Sequence, residues 1–317
     1  WRYFIMPNFN GVWSLTTQIQ YVSDWPVAPD LALFGGGDSD TSIIERLLIT
    51  STGTATDFGT LSVARERLAG VGNTTRAVFA GGYGGGGDQS NVMDFTDYTT
   101  GGNASDFGDL TVARRGPAGN INSSTRGVFA AGGYPSSTDV NVIDYITIGS
   151  TGNATDFGDV TTGRGYPAGT CSSTRGIVGG GGTGTYVDII DYITIGSTGN
   201  ATDFGDLTVA RASLAAAGSE TRGIFASGVN NSQALVDTMD YVTIASTGNA
   251  TDFGDLVQSV RDGQGVCNAT KAIFADDGST ALYAVTIATT GNATTFGNLT
   301  TSQSLRGGAS AGMAAVQ

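Results

Sequence analysis

The stretch TGNATDFGDV at residues 151–160 recurs along the chain with small changes. It reads TGTATDFGTL at 52–61, GGNASDFGDL at 101–110, TGNATDFGDL at 198–207 and again at 247–256, and TGNATTFGNL at 290–299. Its aromatic falls at Phe58, Phe107, Phe157, Phe204, Phe253 and Phe296, at intervals of 49, 50, 47, 49 and 43 residues. A second phrase keeps step: ALFGGG at 32–37, AVFAGG at 77–82, GVFAAGG at 127–133, GIVGGGG at 176–182, GIFASG at 223–228 and AIFADDG at 272–278. A third, VIDYITI at 142–148, is echoed at 188–195 and 236–244. Three phrases in common register, six times over, define the architecture before any single residue does.

Each copy reads as four short strands. GVFA is an apolar run stopped by residues that tolerate positive φ. VIDYITI has the β-branched and aromatic content of a strand, and TGNATDFGDL couples a Gly/Asn/Thr turn to a strand with one aromatic. The fourth strand is the small-residue segment typified by RRGPAGNI at 114–121, suited to close packing around an axis. A period near 50 with four strands per unit predicts an all-β chain, a six-bladed β-propeller over residues 31–317. The first copy lacks its small-residue strand, and the chain ends on one, Arg306-Gly307-Gly308-Ala309. The C-terminal strand should therefore complete the first blade and close the ring.

The repeats resemble kelch-type propeller repeats. The resemblance rests on R-x-G-x-A-G at 114–119, the Gly132-Gly133 pair that ends an apolar run, and the aromatic Tyr145 in the next strand. Phe157 and its equivalents stand where that pattern has Trp. The tandem repeats are also similar to those of bacteriophage-encoded propeller proteins, which implies a virion surface or tail setting.

Composition narrows the chemistry. The 317 residues include 50 Gly and 6 Pro, and the net charge is −13. That charge argues against nucleic acid and anionic membrane as partners, and no apolar run is long enough for membrane insertion. His is absent, which removes Ser-His-Asp and Cys-His nucleophiles and His-ligated metals. Cys171 and Cys267 occupy equivalent positions and should be unpaired small core residues. No catalytic residue, cofactor or metal is expected.

Two basic series run through the repeats: Arg65, Arg114, Arg164, Arg211, Arg261 and Arg306, then Arg76, Arg126, Arg175, Arg222 and Lys271. The first should pair with the repeated Asp57, Asp106, Asp156, Asp203 and Asp252 and tie the blades together. The Asn of the NAT and NAS triplets, at 103, 153, 200, 249 and 292, should cap its own turn; glycosylation and Ca²⁺ binding are the other uses of such a site. Loops that follow the Gly pair differ between copies and are the candidate ligand-binding elements, with Tyr83, Asp88, Tyr134, Tyr186, Asn230 and Asp277 as named candidates. Residues 1–30 carry no repeat phrase but seven aromatics, Trp1, Tyr3, Phe4, Phe9, Trp13, Tyr21 and Trp25, including every Trp of the chain. Trp1, Phe4, Phe9, Trp13, Tyr21 and Trp25 are expected to dock on other subunits of a larger assembly, with an arm that caps the propeller's own surface as the competing reading.

These readings favour a non-enzymatic binding or structural module, a virion-surface propeller that adheres to host glycan or serves architecture. A glycosidase-like propeller using two carboxylates and an intracellular kelch adaptor for a peptide are the competing readings.

Overall fold

The computed structural model describes residues 30–38, 41–84, 88–133, 139–303 and 306–311. They build six four-stranded antiparallel blades in a ring, with no helix among them. We letter the strands of each blade a to d from the axis outward. Blade 2 comprises a Ala69–Gly72, b Arg76–Ala80, c Val92–Asp97 and d Ser105–Asp109. Blade 3 comprises a Ala118–Asn122, b Arg126–Ala130, c Val142–Thr147 and d Thr155–Asp159. Blade 4 has a Ala168–Cys171, b Arg175–Gly179, c Ile189–Thr194 and d Thr202–Asp206. Blade 5 has a Ala215–Gly218, b Arg222–Ala226, c Thr238–Thr243 and d Thr251–Asp255. Blade 6 has a Gln264–Cys267, b Lys271–Ala275, c Ala281–Thr286 and d Thr294–Asn298.

Blade 1 takes b Leu31–Gly35, c Ile43–Leu48 and d Thr56–Thr60 from the start of the repeats. Its strand a is Gly307–Ser310, paired from Ala32↔Ser310 to Gly35↔Gly307, so the C-terminal strand closes the ring as expected. The a strands are small because they meet around the axis: a Cβ on Gly119 would lie 2.5 Å from the Gly70 carbonyl oxygen. Strands b and c bury Phe, Ile and Val between blades. In blades 1 to 5 the b strands end on left-handed residues, Gly81 (φ 68°) and Gly82 (φ 109°) in blade 2. In blade 3 that pair is Ala131 and Gly132, one residue before the Gly132-Gly133 pair read from the sequence.

The repeated TGNAT turn works between blades. In blade 3, Gly152 N donates to Phe107 O (2.7 Å), Ala154 N donates to Asp109 O (2.8 Å), and Asn153 Oδ1 accepts Asp109 N (3.1 Å). The turn thus adds a short parallel segment to the outer edge of the preceding blade, covering a strand edge that would otherwise be open. Asn103, Asn200, Asn249 and Asn292 repeat the clip on Thr60, Asp159, Asp206 and Asp255. The expected self-capping of this Asn is therefore replaced by a bond to the neighbouring blade. The same contact explains the Gly of DFG. At Gly158 (φ 145°) a Cβ would sit 2.5 Å from the Gly199 carbonyl.

Arg126 shows how the second basic series is used. Its guanidinium lies 4.2 Å from the Tyr145 ring centroid and donates to Ile195 O of the next blade at 2.7 Å. Arg76, Arg175 and Arg222 do likewise, and Lys271 reaches Ile49 O across the closing seam. Blade 1 has Leu31 at this position, so the seam between blades 1 and 2 lacks the link.

The first basic series is buried and ion-paired, with different partners from those expected. Arg65, Arg114, Arg164 and Arg211 pair at 2.8–2.9 Å with Asp94, Asp144, Asp191 and Asp240 of strand c. Asp57, Asp106, Asp156, Asp203 and Asp252 are exposed instead. Each precedes the inward-facing Phe of strand d, and alternation turns it to the opposite side. A Thr or Ser completes each network: Thr161 Oγ1 donates to Asp191 at 2.6 Å. In blade 1, Arg306 pairs with Glu45, which also accepts from Thr300 and Thr301.

Arg261 leaves the series. Val260 stands seven residues after Phe253, as Arg211 stands seven after Phe204, so Val occupies the buried Arg position and its carbonyl accepts Gly228 N as the Arg211 carbonyl accepts Gly181 N. Arg261 is 61% exposed and stands 3.7 Å from Asp277. The rest of the network has gone with it, for Val257 replaces the Thr and Tyr283 the Asp.

Candidate functional site

Chain direction sorts the loops. The a–b and c–d turns lie on one face, and the b–c loops and d–a connections lie on the other, called the upper face here. At the upper mouth of the axis five d–a connections each place one residue in left-handed backbone: Arg67 (57°), Gly116 (57°), Tyr166 (55°), Ser213 (57°) and Asp262 (50°). Backbone bonds run from residue to residue around the mouth: Gly116 N to Arg67 O (2.7 Å), Ser213 N to Tyr166 O (3.1 Å) and Asp262 N to Ser213 O (2.8 Å). Gly116 shows that Gly satisfies this position. Four other blades hold a side chain there against a cost of about 1–2 kcal/mol per residue.

Those side chains meet. Arg67 Nη1 donates to the Tyr166 hydroxyl at 2.7 Å, with the guanidinium 5.2 Å from the Tyr166 ring centroid. Arg115 lies between two rings, 5.6 Å from Tyr83 and 5.8 Å from Tyr166. Burial alone would lower the Arg67 pKa, but the Tyr166 hydroxyl, Asp262 and Glu66 outweigh it and raise the value. A cavity of about 40 Å³, the size of a water site, is lined by Arg67, Tyr166, Ser213, Asp262, Gln264 and Arg306. Beneath it Asn120 reaches across the axis from blade 3 and donates to Ala216 O (3.3 Å) and Gly265 O (2.8 Å) of blades 5 and 6. The mouth is thus a floored recess.

Blade 6 forms the recess's acidic edge. Asp276 is buried beside Gln264 and Arg306, and accepts from the Tyr283 hydroxyl at 3.3 Å. Desolvation raises its pKa above the ordinary carboxylate value. No group of three His, Cys, Asp or Glu suited to a metal ion occurs among the described residues.

Of the described loop candidates, Tyr83 is drawn to the mouth through Arg115, and the Asp277 carboxylate faces Arg306 of the lining. Tyr186 joins the blade 5 loop, its N–H donating to Asn231 Oδ1 at 2.8 Å and its O accepting Asn231 Nδ2 at 3.0 Å. Asn230 caps its own loop at Ser232 N and Ala234 N. Asp88 is exposed, and Asp277 accompanies Arg261. Tyr134, Trp1, Phe4, Phe9, Trp13, Tyr21 and Trp25 lie outside the described residues. Arg67, Arg115, Tyr166 and Ser213 escaped the sequence reading. For Arg67, Tyr166 and Ser213 the signal was variation two residues after a fixed Arg, and for Arg115 one residue after it, inside the connection read as packing.

Cys171 and Cys267 are free and buried. Burial pushes the Cys171 thiol far up and Cys267 to about 12. Since the thiolate is the reactive form, neither should react with a thiol-specific disulfide reagent at pH 8 until denaturant is added, when two thiols per chain should appear. Reaction of the native protein would show that the inner strands open.

Neither a protein-family model nor a curated protein matches this chain. The chain is a six-bladed β-propeller.

Proposed function

We propose that this propeller is a non-enzymatic recognition module that holds a saccharide at the upper axial mouth and is displayed on a larger assembly through residues 1–30. A virion surface or phage tail is the setting, and host glycan the ligand, that the kelch-like and phage-like character of the repeats supports. The observation that carries the reading is the use of Arg67, Tyr166, Ser213 and Asp262 where left-handed backbone favours Gly. Sequence in a repeat protein is set by packing wherever copies agree; here they disagree at a cost in stability, around one recess. Aromatic faces beside donors and acceptors suit a polyhydroxylated ligand.

Glycan-array binding tests it. Tyr166→Gly should weaken a captured glycan at least about tenfold, a loss of roughly 1.4 kcal/mol. Ser213→Gly should raise the melting temperature, since it relieves the backbone while removing one hydroxyl. Absence of glycan binding by the intact protein would overturn the saccharide reading, and release of reducing sugar would replace it with a glycosidase.

A further inference from the structure

Four blades share one aromatic arrangement. Phe95, Tyr145, Tyr192 and Tyr241 of strand c meet Phe107, Phe157, Phe204 and Phe253 of strand d edge to face, with ring centroids 5.9–6.1 Å apart. The seam Arg covers each inner ring at 4.2–4.5 Å. Blade 1 substitutes Arg46, 5.8 Å from the Phe58 centroid. Blade 6 has Ala284 in this place, opposite Ile273 as Tyr241 is opposite Ile224. The missing ring coincides with a groove of about 350 Å³ lined by Thr52, Lys271, Ala284, Thr286, Thr294 and Phe296, a volume within the range of small-ligand sites. Lys271 Nζ lies 4.9 Å from the Phe296 centroid. The place of an aromatic ring is thus set between a ring edge and an ammonium group.

The occupant is indicated by where the chain enters the described body. Asp30 O accepts Ile49 N at 2.8 Å, and its carboxylate accepts Asn268 Nδ2 at 2.8 Å. Both partners hold Lys271: Ile49 O accepts its Nζ at 3.3 Å and Asn268 Oδ1 accepts its N–H at 2.8 Å. Trp25 precedes Asp30 by five residues, a reach of up to about 17 Å. We propose that the blade 6 slot takes the indole of Trp25 from the same chain. This roots the arm at the seam between blades 6 and 1 and leaves the aromatics from Trp1 to Tyr21 for a partner. The inference rests on reading residues 1–30 as a docking arm.

The test uses the full chain with Trp1 and Trp13 replaced by Phe, so that Trp25 is the only fluorescent indole. Ala284→Tyr refills the slot with the ring that three other blades carry, so folding should hold, and the melting temperature checks it. With the slot refilled, emission should shift to the red and acrylamide quenching should rise at least about twofold, as for an indole moved from packed to solvated surroundings. Quenching unchanged by Ala284→Tyr overturns the proposal. Quenching that changes only at concentrations where the chain dimerises overturns the same-chain occupant. Glycan capture at the axial mouth should be indifferent to Ala284→Tyr, and assembly left intact by removal of residues 1–24 would sink the docking reading while leaving the Trp25 measurement standing.

Discussion

Arg164→Val should lower the free energy of unfolding by about 3–5 kcal/mol, because it strands a buried carboxylate. Asp191 is fully buried, and the Arg164 guanidinium 2.8 Å away is its counterion. The same guanidinium donates to Thr162 O, Val178 O and Gly180 O, so it ties the d–a connection to strand b and its exit as well as to strand c. The loss belongs to leaving one partner behind and does not measure what the pair contributes. The molecule contains the control. Blade 6 folds with Val257, Val260 and Tyr283 in the three network positions. The triple variant Thr161→Val/Arg164→Val/Asp191→Phe transfers that solution to blade 4; Phe replaces Tyr because Gly180 stands where Asp276 receives the hydroxyl in blade 6. It should recover more than about 2 kcal/mol of the single-variant loss, the coupling expected for groups in one network. Urea midpoints on the three proteins decide it. A triple variant as unstable as Arg164→Val would mean that the ion pair itself, and not the burial of an unpaired charge, holds the blade.

That contrast marks what was legible in the sequence. The intervals between Phe58, Phe107, Phe157, Phe204, Phe253 and Phe296 gave blade number, strand order and closure, because each blade buries the same pattern in the same order. Partner choice was not legible. The DFG phrase put Asp156 within sight of Arg164 in the repeat, yet strand alternation turned it outward and brought in Asp191, whose place in VIDYITI looked like ordinary strand content. Asn153 read as a local turn-former because turn chemistry is local, whereas its acceptor role is set by the neighbouring blade. Arg261 matched the series by letter, yet it stands eight residues after Phe253 where Arg65, Arg114, Arg164 and Arg211 stand seven after their Phe, and Val260 holds the series position and its backbone bond. The axial mouth was missed for a related reason. Arg67, Tyr166, Ser213 and Asp262 are far apart in the chain and share only a left-handed φ, which no composition reveals.

A chain ending at Gln303 should lose cooperative folding, the largest effect expected of any change described. Five blades are continuous in the chain and one is assembled from both ends, so closure rests on Gly307–Ser310. Without it the edge of Leu31–Gly35 is open, and Glu45, 1% exposed, keeps no counterion once Arg306 is gone. That stranded carboxylate alone costs about 3–5 kcal/mol. Ala309 and Ala311 also leave the core, and Cys267 N loses the Ser310 hydroxyl that accepts it at 2.9 Å. Since a domain's whole stability is about 5–15 kcal/mol, the sum approaches the total. The seam between blades 1 and 2 already lacks the cation that pins the others, since Leu31 replaces Arg there, so opening should begin beside it. Heating followed by circular dichroism should show one transition for the full chain and a broad, earlier one for the shortened chain. A synthetic peptide of residues 304–317 added to the shortened chain should restore part of the loss in proportion to its concentration, by mass action. A shortened chain that melted in one sharp transition at the full-length temperature would show that the clips at the outer edges, Asn103 through Asn292, hold the ring without its inner closure.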